Sequence, residues 1–284
     1  MIGIRLGILA SVTALVAAGL SCSLLAQNYA PPPAYDHIVI VVEENHSAYQ
    51  LGGCAYLNSL AARGTRFANM HALVHPSQPN YIALFSGSLQ GITDDALHTI
   101  SAPSVYDRLL AAGRSFYGYS EGLPSVGFTG ESDGRYVRRH APWVSFTSVP
   151  GSANRPFTDF PSGASPDFTV LPSLAYVIPN LDHDMHDGSI TQGDDWLAQN
   201  LEAYASWATG HNSLLIVTFD EPYGSEAPAF TPILTIMVGA GIIPGSLLPD
   251  SYTLYSLLRL VDDSFGLSPL GYDATVQPIT GPWG

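Results

Sequence analysis

Lysine is absent: all ten basic residues are arginine, set against 24 acidic ones, for a formal net charge of −14. Such a balance excludes nucleic-acid binding through a general electrostatic footprint, because neutralising phosphates needs basic surface. An anionic substrate would therefore need a local source of positive charge, either a metal ion or a tight Arg/His cluster. Cysteine is nearly absent too, with only Cys22 and Cys54. If the N-terminal segment is removed, Cys54 stands alone, so the core must hold the fold without disulfides. Repeats, coiled-coil heptads and low-complexity tracts are missing as well.

Long apolar runs are scarce. The longest, Leu6 to Leu20, follows Arg5 and precedes small and polar residues and then Pro31, Pro32 and Pro33. It is short for a membrane span and suits the core of a signal peptide. The expected division is a signal peptide over residues 1–26 cleaved after Ala26, a proline-rich linker over 27–36, and one domain over 37–284. Gly19-Leu20-Ser21 is a poor lipobox before Cys22, so a secreted monomer is expected rather than a lipid-anchored protein.

A chain of 284 residues, 46% hydrophobic, can bury one sizeable core. The unbroken β-branched run His37-Ile38-Val39-Ile40-Val41-Val42 reads as a central parallel strand covered on both faces. Further strands are expected over 174–178, 214–219 and 233–238. An amphipathic helix is expected from Asp194 to Ala208 and another over 252–262, with shorter ones over 56–62 and 104–112. Strands alternating with helices indicate an α/β fold: a doubly wound, mostly parallel sheet with helices on both faces. The aperiodic, Gly/Ser/Pro- and aromatic-rich segment 122–167 reads as a loop-rich cap insertion.

Polar residues follow three of these strands abruptly, at the edge where open α/β sheets bind ligands. Glu43-Glu44-Asn45-His46-Ser47 offers carboxylate and amide oxygens for a hard cation, or a helix cap. Asp182-His183-Asp184-Met185-His186-Asp187 packs like charges that repel unless a cation or substrate lies among them. Both Asp182 and Asp184 are candidates there. Asp220-Glu221 repeats the acidic pattern after the 214–219 strand. Ser77, between Pro76 and Pro79 and just before the apolar run 82–85, reads as a hydroxyl on a rigid turn at a helix start; the alternative is an ordinary turn. Arg135, Arg138, Arg139 and His140 form the one concentrated basic segment, suited to phosphate.

The ordered motifs Glu44-Asn45-x-Ser47, His75-Pro76-Ser77-x-Pro79-Asn80-Tyr81, Tyr136-x-x-Arg139-His140-x-Pro142-Trp143, Asp184-Met185-His186-Asp187-Gly188-Ser189 and Asp220-Glu221 resemble the bacterial phosphoesterase family. That family holds secreted acid phosphatases and phospholipase C enzymes, and its fold is similar to that of the alkaline phosphatase superfamily. The resemblance implies a phosphomonoesterase acting on a phosphorylated small molecule or a phospholipid headgroup, phosphoinositides included. Ser77 would be the nucleophile, with His186 and His140 contacting phosphate or protonating the leaving oxygen. Asn80, Arg139 and Asp184 would line the substrate site. Glu44, Asn45, Asp220 and Glu221 would surround a divalent metal whose identity is open. Pro222-Tyr223-Gly224 departs from the glycine-bearing acidic loop common in the family, and the third histidine of a two-metal site has no counterpart. The alternatives are a phospholipase C-type diesterase and an exported binding protein without turnover.

Overall fold

The computed structural model describes residues 31–284; the expected signal peptide and cleavage after Ala26 lie outside the described residues. The strands of the main sheet are β1 (His37–Glu43), β2 (Thr65–His71), β3 (Phe116–Ser120), β6 (Asn154–Pro156), β7 (Leu174–Ile178), β8 (Ser213–Phe219), β9 (Thr235–Gly239) and β10 (Ser246–Thr253). A small antiparallel hairpin, β4 (Ser132–Asp133) with β5 (Tyr136–Val137), lies apart. The main sheet runs in the order β10-β2-β9-β8-β1-β7-β3-β6. Only β9 is antiparallel to its neighbours.

The β-branched run places β1 at the centre. Ile38 aligns with Leu174 on one side and Leu214 on the other, and Ile38–Val42 are buried. Burial of both faces leaves no position for a polar side chain until the strand ends, which is why Glu43, Glu44 and Asn45 come together at its carboxyl edge.

Among the described residues five α-helices flank the sheet: α1 (Ala55–Arg63), α2 (Ser77–Ser86), α3 (Val105–Ala111), α4 (Ile190–Gly210) and α5 (Leu254–Phe265). α1 and α4 pack together against β8 and β9, whereas α2 packs with α3 and α5. The Tyr176 hydroxyl of β7 donates to the Leu84 carbonyl of α2 at 2.9 Å, and Tyr204 of α4 donates to the Leu214 carbonyl at 3.3 Å. The expected doubly wound, mostly parallel architecture is present.

The sequence reading missed β2, β3, β6 and β10. β10 contains Pro249, bulges between Leu248 and Ser251, and is an edge strand, so it lacks both a clean period and a continuous apolar run. α4 begins before the expected Asp194. Ser189 caps it, accepting from Gln192 N at 3.2 Å while Gln192 Oε1 accepts from Ser189 N at 2.9 Å. Asp194 instead caps another helix: its two oxygens accept from Tyr56 N and Leu57 N at 2.9 Å each. The segment 122–167 is more than a cap, since β6 forms the sheet edge beside β3. It also sends Trp143 into the core against Gly118, where a Cβ would stand 2.1 Å from the indole. That approach requires glycine in β3.

Arg108 on α3 bridges two buried acids, Asp262 at 2.8 Å and Asp273 at 3.3 Å. Burial still pushes Asp262 up to about 9, with Arg108 opposing and Asp273 adding to the shift. An Arg108→Met variant leaves both acids without their cation, which should cost about 3–5 kcal/mol, or on the order of 10 °C in melting temperature. A folded-state carboxyl pKa raised above its unfolded value makes stability fall as pH rises. Thermal melts should therefore show stability declining from pH 5 to pH 8, within the window between the unfolded carboxyl value and about 9.

Candidate active site

The carboxyl ends of β1, β7 and β8 point the same way, and the turn after β2 brings α2 against them. Asn80 builds that turn. Its Oδ1 accepts from Leu73 N at 3.0 Å and Val74 N at 3.2 Å, and its Nδ2 donates to the Val74 carbonyl at 2.8 Å. The buried amide holds the loop that leads, through a cis His75–Pro76 bond, into Ser77, and its Nδ2 also reaches Glu221 Oε2 at 3.5 Å. Asn80 thus braces the serine turn and borders the acids of the site.

Ser77 is the first residue of α2, as its two prolines suggested, and its hydroxyl lies among carboxylates. It donates to Glu44 Oε2 at 3.1 Å, and Glu221 Oε1 is 3.4 Å away. The Asn45 amide end is also 3.4 Å from Ser77 Oγ. Turned to satisfy its neighbours, that amide donates from nitrogen to Glu221 Oε1 and Asp220 Oδ1, each at 3.2 Å. Asn45 N donates to Asp220 Oδ1 at 3.1 Å, and Asn45 holds a left-handed φ of 47°. Asparagine tolerates this conformation, which re-aims the chain after β1.

His140 reaches the same hollow from the segment after β5. It is 1% exposed, with Nε2 3.2 Å from Glu44 Oε1 and Nδ1 3.4 Å from Asp184 Oδ2. Neither contact meets hydrogen-bond geometry. Burial holds this imidazole well below its usual range, and the nearby Arg139 and His186 add to the effect. His140 stands at the hollow, enclosed between Glu44 and Asp184. His186 stands further out, its ring centroid 6.4 Å from that of His140 and its Nδ1 2.7 Å from Asp187 Oδ1.

Of the two acids left open after β7, Asp184 is inside and Asp182 outside. Asp184 is fully buried, accepts from His186 N at 2.8 Å through Oδ1, and leaves Oδ2 without a hydrogen-bond partner. Asp182 and Asp187 both pair with Arg135, at 2.8 and 2.6 Å. The basic segment is accordingly dispersed. Arg135 neutralises those acids, and Arg138 donates to the carbonyls of Thr129, His98 and Val144. Among the described residues Arg139 has no ion-pair partner, yet its charge is felt by both His140 and Asp184.

The hollow is acidic rather than basic. Burial raises the carboxyls of Glu44, Asp184, Asp220 and Glu221 above their ordinary range, and mutual repulsion adds to this at Glu44, Asp220 and Glu221. Glu43, on the same strand end, is fully buried with neither carboxylate oxygen hydrogen-bonded. Among the described residues no group of three His, Cys, Asp or Glu side chains stands ready as a cage for an ion. The donor chemistry nevertheless fits a hard divalent cation: oxygens of Glu44, Asp220 and Glu221 gather around one hydroxyl in a buried pocket crowded with acids.

Residues 47–268 match the family model described as the Phosphoesterase family. The chain belongs to the phosphoesterase family. It is a phosphoric ester hydrolase. This phosphoesterase is 43% identical over 257 residues to a phosphatidylinositol-3-phosphatase of Mycobacterium tuberculosis, covering 89% of this chain and 84% of that protein. It is 31% identical over 255 residues to a phosphate-repressible acid phosphatase of Penicillium chrysogenum, covering 84% of this chain but only 61% of the fungal one. In fold it is similar to an alkaline phosphatase superfamily protein of Vibrio parahaemolyticus (TM-score 0.58, 11% identity, 88% and 72% of the two chains). It is also similar to the lipoteichoic acid synthase LtaP of Listeria monocytogenes (TM-score 0.56, 12% identity, 85% and 76%).

Two site residues had no assigned role in the sequence reading. His75 bridges Glu221 Oε2 at 2.9 Å and the Glu226 carbonyl at 2.8 Å, linking the serine turn to the loop after β8. Tyr81 donates to Glu44 Oε1. Its position, one helical turn after Ser77, was the available signal.

Proposed function

We propose that this phosphoesterase is an exported acid phosphatase that hydrolyses phosphomonoesters through Ser77, with a phosphoinositide headgroup as a candidate substrate. The observation that carries the reading is the Ser77 hydroxyl at the head of α2, 3.1 Å from Glu44 Oε2 and 3.4 Å from Glu221 Oε1. A helix N-terminus favours the negative charge that gathers on a phosphoryl group as its ester bond breaks. Localisation outside the cytoplasm rests on the Leu6–Leu20 segment and its flanks. The mycobacterial relative supports the phosphoinositide assignment.

In this mechanism Ser77 Oγ attacks phosphorus in line, and its proton passes toward the carboxylate it already faces. The P–O bond to the leaving alcohol breaks, and His186 supplies a proton to the departing oxygen from the open side of the site. Water then cleaves the Oγ–P bond and frees phosphate. Arg139 meets the non-bridging oxygens, while buried His140 and Asp184 form the floor behind them. A divalent ion held by Glu44, Asp220 and Glu221, with Asn45 beside them, would polarise a phosphoryl oxygen and offset the local negative charge.

Phosphate release from p-nitrophenyl phosphate and phosphatidylinositol 3-phosphate, set beside bis-p-nitrophenyl phosphate and phosphatidylcholine, tests the reading. Faster turnover of both monoesters is expected. Diester preference would make it a phospholipase C-type enzyme, and no release from any of the four would make it a binding protein. Arg139→Ala should lower kcat/KM on the monoesters about 10- to 100-fold, the loss of one charge-assisted contact. An unchanged kcat/KM removes Arg139 from the site.

A further inference from the structure

Tyr81 joins both halves of the site, yet its hydroxyl bonds to Glu44 and not to Ser77, and in the proposed mechanism it does not meet the phosphate. It lies four residues beyond Ser77 on α2, about 6 Å along the same helix face. Its hydroxyl donates to Glu44 Oε1, the oxygen opposite the one that accepts from Ser77. Its ring stacks on the His140 imidazole with centroids 5.1 Å apart and planes inclined by 9°. Both side chains are buried at about the level of the core. One tyrosine therefore contacts the acid that faces the serine and the imidazole that closes the floor.

We infer that Tyr81 is a positioning residue that orients Glu44 through its hydroxyl and His140 through its ring, fixing the metal-ligand carboxylate relative to the nucleophile. The inference rests on the reading of Ser77 as nucleophile and Glu44 as metal ligand. The physical reason lies in the geometry of a carboxylate. Glu44 can rotate about its last bond and exchange which oxygen faces Ser77. A donor fixed on one oxygen leaves the other aimed at the serine, and burial of both partners strengthens that hydrogen bond. Since Tyr81 and Ser77 ride on the same helix, the nucleophile and the orienting hydroxyl move together. The stacked ring does for His140 what hydrogen bonds do not, because neither imidazole nitrogen is held in hydrogen-bond geometry.

Tyr81→Phe removes the hydroxyl and keeps the ring; Tyr81→Leu removes both. Each would be compared with wild type for kcat and KM on p-nitrophenyl phosphate. Each would also be titrated in thermal melts with Mg²⁺, Ca²⁺, Mn²⁺ and Zn²⁺ after chelation. Tyr81→Phe should lower kcat about 10- to 100-fold with little change in KM, and raise the ion concentration for half-maximal thermal shift about 10-fold, the range seen when an outer-shell partner of a ligand is lost. Tyr81→Leu should lower kcat further. Wild-type kcat and ion response in Tyr81→Phe overturns the inference, even where the melting temperature falls, since a core-filling tyrosine affects stability alone. A Tyr81→Leu protein no worse than Tyr81→Phe overturns the stacking half. A wild-type protein that releases no phosphate and answers to no ion sinks the reading of the site itself, a result separate from either.

Discussion

Replacing Ser77 by alanine is expected to lower turnover of p-nitrophenyl phosphate by at least about 10³-fold, because nucleophiles acting with their supporting groups carry effects of that size. KM should change little, since the phosphate contacts proposed for Arg139 and the helix head do not involve the Ser77 hydroxyl. The melting temperature should stay close to wild type or rise. Ser77 is buried, but its only side-chain partners are the acids and the amide around it. Removing one hydroxyl there leaves no orphaned donor, and the helix start is still set by Pro76 and the Asn80-braced turn. A Ser77→Ala enzyme with wild-type rates would show that the hydroxyl is a helix-start residue and that the attacking oxygen comes from elsewhere.

Asp220→Asn is expected to separate activity from stability in opposite directions. The side chain keeps an oxygen for Asn45 N, now accepted from at 3.1 Å, but loses its charge beside Glu44, Asp184 and Glu221. Activity should fall by about 10²-fold or more, because an electrostatic group at the reacting centre is gone. In chelator the variant should melt higher than wild type at pH 8, by a few degrees, each kcal/mol corresponding to about 2–4 °C in a domain of this size. The sign follows from the directions of the shifts. Carboxyls whose folded pKa is raised bind more protons folded than unfolded, so stability declines as pH climbs above about 4, the unfolded value. Chelated wild type should therefore lose melting temperature between pH 5 and pH 8, and Asp220→Asn should lose less. Added divalent ion should restore wild type and have little effect on the variant. A chelated wild-type protein equally stable at both pH values, and unmoved by any ion, would remove the case for a cation at this site.

Both experiments probe one arrangement: acids concentrated where the sheet can no longer hide apolar side chains. Sequence periodicity captured this well at β1 and β8, because strands buried on both faces are continuous runs of Val, Ile, Leu and Phe that stop at their polar ends. It captured the position of Ser77 at a helix start by a different local signal, the prolines that frame it. It failed at β2, whose alternately buried and exposed residues include Arg66 and Asn69, and at β10, broken by Pro249. The basic segment misled in a different way. Arg135, Arg138 and Arg139 are nearly adjacent, but Arg135, in the turn between β4 and β5, pairs with Asp182 and Asp187, while Arg138, just after β5, donates to backbone carbonyls. Local density of one charge therefore said little about where each guanidinium would end.

What the sequence determined by itself was the class of fold, the strand ends that carry chemistry and the family to which the chain belongs, since each is written in short runs whose physics is local: buried strands, a proline-framed helix start, acids with no apolar role. Only the tertiary structure decided which of those acids share a pocket. It set Asp184 inside and Asp182 at the surface, drew Asn80 beneath the serine turn, enclosed His140 between Glu44 and Asp184, and placed Tyr81 against Glu44 and His140. Desolvation and the pairing of distant side chains are properties of the packed whole, and no stretch of residues carries them alone.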